Sequence, residues 1–272
     1  MCEKYEEIYD KIKKETIAYL DNNKIKTLVL GISGGIDSTI VAAIIRDIID
    51  SEKKDIKLIG KVIDINSNQE EMKRAVKVTE AFCDSNEYRN LNIINKIMTD
   101  SMLEYNIDSV NVRKGNLKAR LRMILLYDIA RTFNGLVLST DNLTEYLLGF
   151  WTLHGDVGDL AIIGDLFKSE VYDLTEYIAD NIFTYNSERK KHNLLKTAIE
   201  VMPTDGLGFS DNDFEQIYPN YVKSMSPREV YSIIDDELIS ILYNDSWKIE
   251  EIKNRVFSTR YKRMNPYTIT IH

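Results

Sequence analysis

Apolar runs of strand length alternate with segments of helical periodicity, which predicts an α/β protein: a doubly wound parallel sheet with a mainly helical C-terminal part. Three observations carry that expectation. The run Leu28-Val29-Leu30-Gly31-Ile32 is short and almost wholly apolar, as a strand covered on both faces must be. The small residues Ser33-Gly34-Gly35 follow, and Thr39–Asp50 then places Ile40, Val41, Ile44, Ile45 and Ile48 at helical spacing. The same order recurs downstream, with Ile56–Ile65 before Gln69–Asp84, Glu87–Ile93 before Ile94–Tyr105, and Gly115–Phe133 before Gly135–Ser139. Such alternation implies parallel strands joined by right-handed crossovers.

The remaining elements follow from the same patterns. Glu3–Asn22 reads as an amphipathic helix with Ile8, Ile12, Ile17 and Leu20 apolar. Gln69–Asp84 sets Met72, Ala75, Val76, Thr79 and Phe82 on one side, and Gly115–Phe133 offers Leu117, Leu121, Ile124, Leu125 and Ile129 to the core. Beyond residue 145 the pattern is helical: Lys168–Asn181, Ser187–Val201, Asp211–Ile217, Pro227–Ile241 and Trp247–Thr259. No repeat, low-complexity tract or long linker interrupts the chain. One domain over residues 1–272 is expected, with an α/β core over about 24–145 and a helical elaboration over about 146–272.

The chain has 272 residues and a net charge of −8, from 35 basic and 43 acidic residues. That balance disfavours a nucleic-acid backbone as the main partner. No apolar run reaches the roughly 20 residues that span a bilayer, and Met1–Asp10 is charged, unlike a secretory signal. Cys2 and Cys83 stand apart without metal-ligand spacing, so a reducing cytoplasm is the expected setting. An N-terminal nucleophile at Cys2 is not expected, because a charged helical stretch follows at once. Ligands of doubly wound sheets bind beyond the carboxyl ends of the strands. Ser33–Ser38, Asp64–Asn68 and Thr140–Glu145 therefore fall along one rim.

Residues 33–38 have an anion-binding character: a Gly-rich turn into a helix start, with free backbone N–H groups and the Ser33 and Ser38 hydroxyls. No Lys follows the glycines, unlike the usual nucleotide-hydrolase loop. An acid, Asp37, stands there instead. A carboxylate beside a phosphate is repulsive unless a cation lies between them, so Asp37 implies Mg²⁺. The competing structural reading makes Asp37 a helix N-cap.

The complete string Ser33-Gly34-Gly35-Ile36-Asp37-Ser38 behind a strand resembles the pyrophosphate loop of the ATP pyrophosphatase superfamily. Members have Rossmann-like cores and cleave ATP to AMP and pyrophosphate while activating a substrate as an adenylate. The resemblance implies ATP contacts from Gly31, Ile32, Ser33, Gly34, Gly35, Ile36, Asp37 and Ser38.

Further segments resemble one branch, the NAD synthetases. Arg113-Lys114-Gly115-Asn116-Leu117-Lys118-Ala119-Arg120 is similar to the family's R-x-G-N-x-K-A-R, which implies that Arg120 contacts the dinucleotide substrate. Thr140-Asp141-Asn142-Leu143-Thr144-Glu145 is similar to T-[DG]-x-x-x-E, with Thr140 on ATP and Glu145 sharing the Mg²⁺ with Asp37. Gly149-Phe150-Trp151-Thr152-Leu153-His154-Gly155-Asp156, then Asp159 and Asp165-Leu166-Phe167-Lys168, resembles G-[YF]-x-T-L-Y-G-D followed by D-L-x-K. Asp159 is thereby assigned to the substrate and Lys168 to the ATP phosphates. Met202-Pro203-Thr204-Asp205-Gly206 resembles P-[TS]-A-[DE]-L and implies a phosphate contact from Thr204. Ser258–Pro266 is similar to S-x-H-K-R-x-x-P, which puts Tyr261 and Lys262 at the family's substrate-contacting pair.

The departures are specific. Gln69 matches an ATP contact, but Ile63 stands where the family often has Arg, and Leu153 where many ammonia-dependent members have Lys. His154 replaces a family Tyr, and Asp205–Phe214 lacks the commonest wording. The resemblance implies ATP-dependent, AMP-forming amidation of deamido-NAD to NAD through an acyl adenylate, in a homodimer. The roughly 30 residues before the loop leave no room for a glutaminase domain, so free ammonia is the expected nitrogen source. Thr152–Asp156, worded like the glutamine-dependent branch, points the other way. Two alternatives stay open: another superfamily enzyme such as a GMP synthetase-like amide ligase, and a nucleotide-binding regulatory module without turnover.

Overall fold

The computed structural model describes residues 2–102, 110–203, 214, 217, 218, 220–244, 246–264 and 269. Four parallel strands form one sheet in the order β3-β2-β1-β4: β1 (Thr27–Gly31), β2 (Lys57–Asp64), β3 (Ser85–Asn90) and β4 (Leu136–Val137). This is the doubly wound α/β sheet expected from the alternation. The register sets Gly31 beside Lys61, and Ile32 N–H bonds Lys61 O at 2.9 Å, so the end of β1 stays tied to β2 as the chain enters the loop.

Helices cover both faces. α1 (Cys2–Asn22), α2 (Ile36–Ser51) and α3 (Gln69–Phe82) lead the chain through the first crossovers; α4 (Asn92–Met102) and α5 (Val110–Thr132) precede β4. α2 is the centre of the molecule. All five of its predicted apolar residues are fully buried, and so is Thr39. A helix apolar nearly all round needs cover on every side. The C-terminal helices supply it: α7 (Lys168–Tyr177), which runs into a π-helical turn Ile178–Ile182, and α8 (Tyr185–Glu200). The chain continues through α6 (Leu143–Leu148) after β4, and ends in α9 (Pro227–Asn244), α10 (Glu250–Ser258) and α11 (Arg260–Arg263). One buried cluster runs from Tyr5 through α2 to Val256. On the other face, α5 closes a smaller cluster of Val29, Ile59, Ile63, Leu126, Ile129 and Val137.

Several sequence expectations need correction. α2 begins at Ile36 rather than Thr39, because Thr39 N–H already bonds Gly35 O at 3.2 Å; Asp37 therefore lies in its first turn. On α1, Tyr5 and Tyr9 are buried with Leu20 while Ile8, Ile12 and Ile17 are half-buried, and the two tyrosine hydroxyls reach Asp173 and Asp47. Burial with those acids as acceptors pushes both phenols upward. On α5, Ile124 is 64% exposed, whereas Leu126 and Ala130 join Ile129 in packing against the sheet and the expected Leu121 is buried. The predicted helices at Gln69–Asp84, Lys168–Asn181 and Trp247–Thr259 end earlier or start later, and α6 and α11 were not anticipated. Most of the predicted Asp211–Ile217 helix lies outside the described residues.

Candidate active site

The loop after β1 is built from its own backbone and two hydroxyls. Ser33 and Ser38 Oγ lie 3.0 Å apart, Ser33 N–H bonds Ser38 Oγ at 3.2 Å, and Gly35 N–H bonds Ser33 Oγ at 3.2 Å. Gly34 sits at φ +84°, and a Cβ there would stand 2.5 Å from Glu71 O and 2.9 Å from Ala75 N. Only glycine lets α3 press against this turn. Gly35 is the N-cap of α2 and offers no side-chain cap, so the first helical N–H groups face the loop. They form an anion site at the positive end of a 16-residue helix.

The carboxylates stand beside it. Asn142, buried, N-caps α6 by accepting from Glu145 N–H at 3.0 Å, and its amide donates to Asp37 Oδ1 at 3.0 Å. Lys168, 2% exposed at the start of α7, donates to Asp37 Oδ2 at 2.5 Å and to Glu145 Oε1 at 2.8 Å. Its ammonium thus bridges two residues 108 apart in sequence. Burial opposes that charge, but the two carboxylates prevail and hold the lysine well above its ordinary pKa. Glu145 moves the other way from a normal acid. Burial, with Asp37 and Asp141 adding repulsion against the pull of Lys168, pushes it up to about 8. Asp141, which accepts from Ser139 Oγ at 2.6 Å, is also raised, chiefly by burial.

A cleft of about 770 Å³ opens from the loop. Gly31, Ile32, Ser33, Asp37, Ser38, Thr140 and Glu145 form one wall. Opposite stand α5 residues Asn116, Ala119, Arg122, Met123 and Leu126, and the turn Gly149–Asp156 with Arg255 and Lys262 closes the end. Asp156 accepts from Thr152 N–H through both oxygens, at 2.8 and 2.9 Å. Burial first, then the Asp141 charge, pushes it up to about 7. Thr152 Oγ1 donates to Asn116 Oδ1 at 2.9 Å, joining turn and helix.

Asp37, Glu145 and the nearby Asp141 suit a hard cation. No group of three or more His, Cys, Asp or Glu among the described residues could hold a metal by itself. Mg²⁺ characteristically takes one or two carboxylates and completes its shell with waters and substrate phosphates, so the donor set fits.

Other expected residues stand elsewhere. Gly34, Gly35 and Ile36 belong to the loop without lining the cleft, and Gln69 opens α3 outside it. Lys168 is behind the carboxylates rather than in the wall. Arg120 donates to Leu153 O at 3.0 Å. Asp159 accepts from Tyr127 OH at 3.0 Å and Val137 N–H at 2.9 Å, which pins the end of β4. Tyr261 is exposed on α11, while Lys262 lines the cleft and donates to Gly149 O and Trp151 O at 2.7 and 2.6 Å. Thr204 and Pro266 lie outside the described residues.

Two cations in the wall, one buried and one half-buried, were missed. Lys61, 2% exposed, pairs with Glu87 at 2.5 Å; a lysine inside the apolar run Leu58–Ile63 was the available signal. Arg122, whose pKa burial lowers despite Glu71 and Asp156, shares the cleft-facing stripe of Asn116, Ala119 and Leu126. Its three- and four-residue spacing was readable.

Fold and loop together define an ATP pyrophosphatase-type core, with acids where nucleotide hydrolases carry a lysine. Residues 6–266 match the NAD synthase family profile. The chain belongs to that family. The NH(3)-dependent NAD(+) synthetase of Thermoplasma acidophilum is 30% identical over 246 residues, 90% of either chain. The solved NH3-dependent NAD synthetase of Campylobacter jejuni, in complex with the nitrate ion, is 25% identical and superposes over 98% of this chain and 99% of its own at a TM-score of 0.68. The NMN synthetase of Francisella tularensis superposes at 0.75 with 22% identity over 98% and 99% of the chains, a likeness of fold.

Proposed function

We propose that this protein amidates deamido-NAD to NAD with free ammonia, converting ATP to AMP and pyrophosphate. The observation that carries the reading is one continuous cleft joining the pyrophosphate loop and its carboxylates to the Gly149–Asp156 turn. ATP phosphates at the α2 N-terminus and an acceptor carboxylate against α5 can meet there, and the likeness to an NH(3)-dependent NAD(+) synthetase over 90% of both chains supports ammonia.

The amides after Gly34 and the Ser33 and Ser38 hydroxyls hold the departing pyrophosphate, with Gln69, Thr140 and Thr204 assigned to the rest of ATP. Asp37 and Glu145 would hold Mg²⁺, which when bound would supply charge neutralisation at the phosphates. Lys168 keeps those carboxylates in register and is assigned to the phosphates. Arg120, Asp159, Tyr261 and Lys262 are assigned to the acceptor. Asp156 lines the cleft with a pKa of about 7, matched to accepting a proton from ammonium near neutral pH. No protein nucleophile takes part; positioning and charge neutralisation supply the rate.

We assign a homodimer as the working form. Ile93, Ile97 and Met102 on α4 and Val112 and Ile124 on α5 are each more than half exposed, an apolar face suited to a second copy. No helix among the described residues is long and apolar enough to cross a membrane, and we assign the enzyme to the cytoplasm.

Mass spectrometry of the purified chain with ATP, Mg²⁺, ammonium and deamido-NAD tests the reaction. Equal amounts of NAD, AMP and pyrophosphate are expected. Formation of ADP, or a preference for nicotinate mononucleotide as acceptor, overturns the reading.

A further inference from the structure

The helix that carries Lys168 is capped by residues from two other helices. Its N-cap position is Phe167, whose side chain has no oxygen to accept the first amides of α7. Glu170 Oε2 takes only Phe167 N–H, at 3.1 Å. The Lys168 amide instead donates to Thr144 Oγ1 at 2.8 Å, and the Ser169 amide to Asp235 Oδ2 at 2.8 Å. The Thr144 hydroxyl in turn donates to Asp235 Oδ1 at 2.5 Å. Thr144 is fully buried and Asp235 only 2% exposed.

These bonds join α6, α7 and α9 at one point. Thr144 immediately precedes Glu145, and Lys168 is the first residue of α7. The two side chains that converge on Asp37 therefore leave the backbone at the units this cap ties together. A cap oxygen ordinarily comes from the residue just before its helix, where it holds that helix alone. Here the oxygens come from 24 and 66 residues away, so the same bonds also fix the distance between two helices. A buried carboxylate is costly unless its oxygens accept hydrogen bonds, and both oxygens of Asp235 do.

We propose that Asp235 is a positioning residue for the reaction: through Thr144, it caps α7 in trans and holds Lys168 and Glu145 in register with Asp37. The inference rests on the amidation reading above. Asp235 touches neither nucleotide nor acceptor; its contribution passes through two backbone amides and one hydroxyl. Asp235→Asn exchanges one accepting oxygen for a donor that faces donors. Thr144→Val keeps the shape and removes the hydroxyl, and Thr144→Ser retains it.

Steady-state kinetics and amide hydrogen exchange on the ligand-free full chain test this together. Asp235→Asn and Thr144→Val should each lower kcat by about ten- to a hundredfold while KM for deamido-NAD stays within about twofold. Thr144→Ser should restore kcat. The double variant should be no slower than the worse single one, because both residues act along one path. In wild type the Lys168 and Ser169 amides should be protected, with protection lost in both disrupted variants and regained in Thr144→Ser. Folded Asp235→Asn or Thr144→Val with wild-type kcat, or a double variant equal to the product of the singles, overturns the proposal. Should Asp235→Asn fail to fold, Thr144→Val and its serine rescue decide. Wild-type protein that makes no NAD sinks the amidation reading instead, while the exchange pattern still tests the cap.

Discussion

The two ends of the cleft are built on opposite plans. At the phosphate end the donors come from consecutive residues, Ser33 to Ser38, shaped by their own hydrogen bonds and one obligatory glycine. At the acceptor end the Gly149–Asp156 turn is held from a distance. Arg255 Nε donates to Leu148 O at 2.9 Å, Arg263 Nη1 to Leu147 O at 2.6 Å, and Lys262 to Gly149 O and Trp151 O. Arg255 and Arg263 thus satisfy the last two carbonyls of α6, where a helix presents its negative end, and Lys262 ties down the carbonyls of the turn beyond it. Arg255 also lies over the Phe150 ring at 4.3 Å, and Trp151 stacks on Tyr146 with an interplanar angle of 7°. Gly149 takes φ +67° where a Cβ would meet Thr259 at 2.4 Å, so turn and tail were shaped together. The difference teaches that an anion-binding loop can be local, whereas the far end of the cleft depends on contacts between residues more than 100 apart in sequence.

The contrast can be broken most strongly at the two carboxylates proposed to hold Mg²⁺. Asp37→Asn should cut turnover by about a hundred- to a thousandfold, with unchanged circular dichroism, because charge neutralisation at the phosphates is lost. Wild-type rates in Asp37→Asn and Glu145→Gln across a Mg²⁺ titration would remove both from the metal site.

At the other end, Lys262→Ala should raise KM for deamido-NAD by about tenfold and leave KM for ATP within about twofold, since the turn loosens while the loop does not. Equal changes in both constants would mean that the two ends are coupled.

Gly34→Ala sharpens the claim that the loop is a local structure wedged under α3. It should destabilise the protein by about 2–4 kcal/mol in urea unfolding, from the positive φ and the clash with Glu71 O. A loss below about 0.5 kcal/mol would show that α3 yields easily.

The smallest effect concerns pH. Asp235, Asp156 and Glu145 are raised to about 6, 7 and 8, chiefly by burial. Each binds its proton more tightly folded than unfolded, so the stability it adds is complete below its ordinary pKa near 4 and lost as pH rises through the shifted value. Ligand-free protein should lose stability between about pH 4 and 8, and Glu145→Gln should flatten the upper part of that slope. Thermal unfolding measured across that range checks the sign; a midpoint rising with pH contradicts it.

Much of the phosphate end was readable in advance because its chemistry is local. A strand, a Ser-Gly-Gly turn and a helix start are adjacent in the chain, and Asp37 and Glu145 follow motif spacing. The acceptor end resisted because its partners are distant. Lys262 was expected to touch substrate, and the structure also has it bridging two backbone carbonyls; Asp159 likewise holds Tyr127 and the β4 backbone. Arg122 and Lys61 were overlooked because a cation in a helix or strand reads as solvated until its wall is known. Ile124 was assigned to the core on periodicity, which gives the apolar face of a helix but not which part of it is covered.

Sequence alone therefore determined the α/β class, the strand order's parallel character, the anion-binding turn and the acids beside it, since short-range sterics and hydrogen bonding act between neighbours in the chain. Tertiary structure alone decided that Lys168 lies between Asp37 and Glu145, that α9 caps α7 through Asp235, and that the basic tail clamps α6. Those contacts arise where burial brings charged and polar groups from remote segments together, and a buried charge takes whichever partner the packing places within reach.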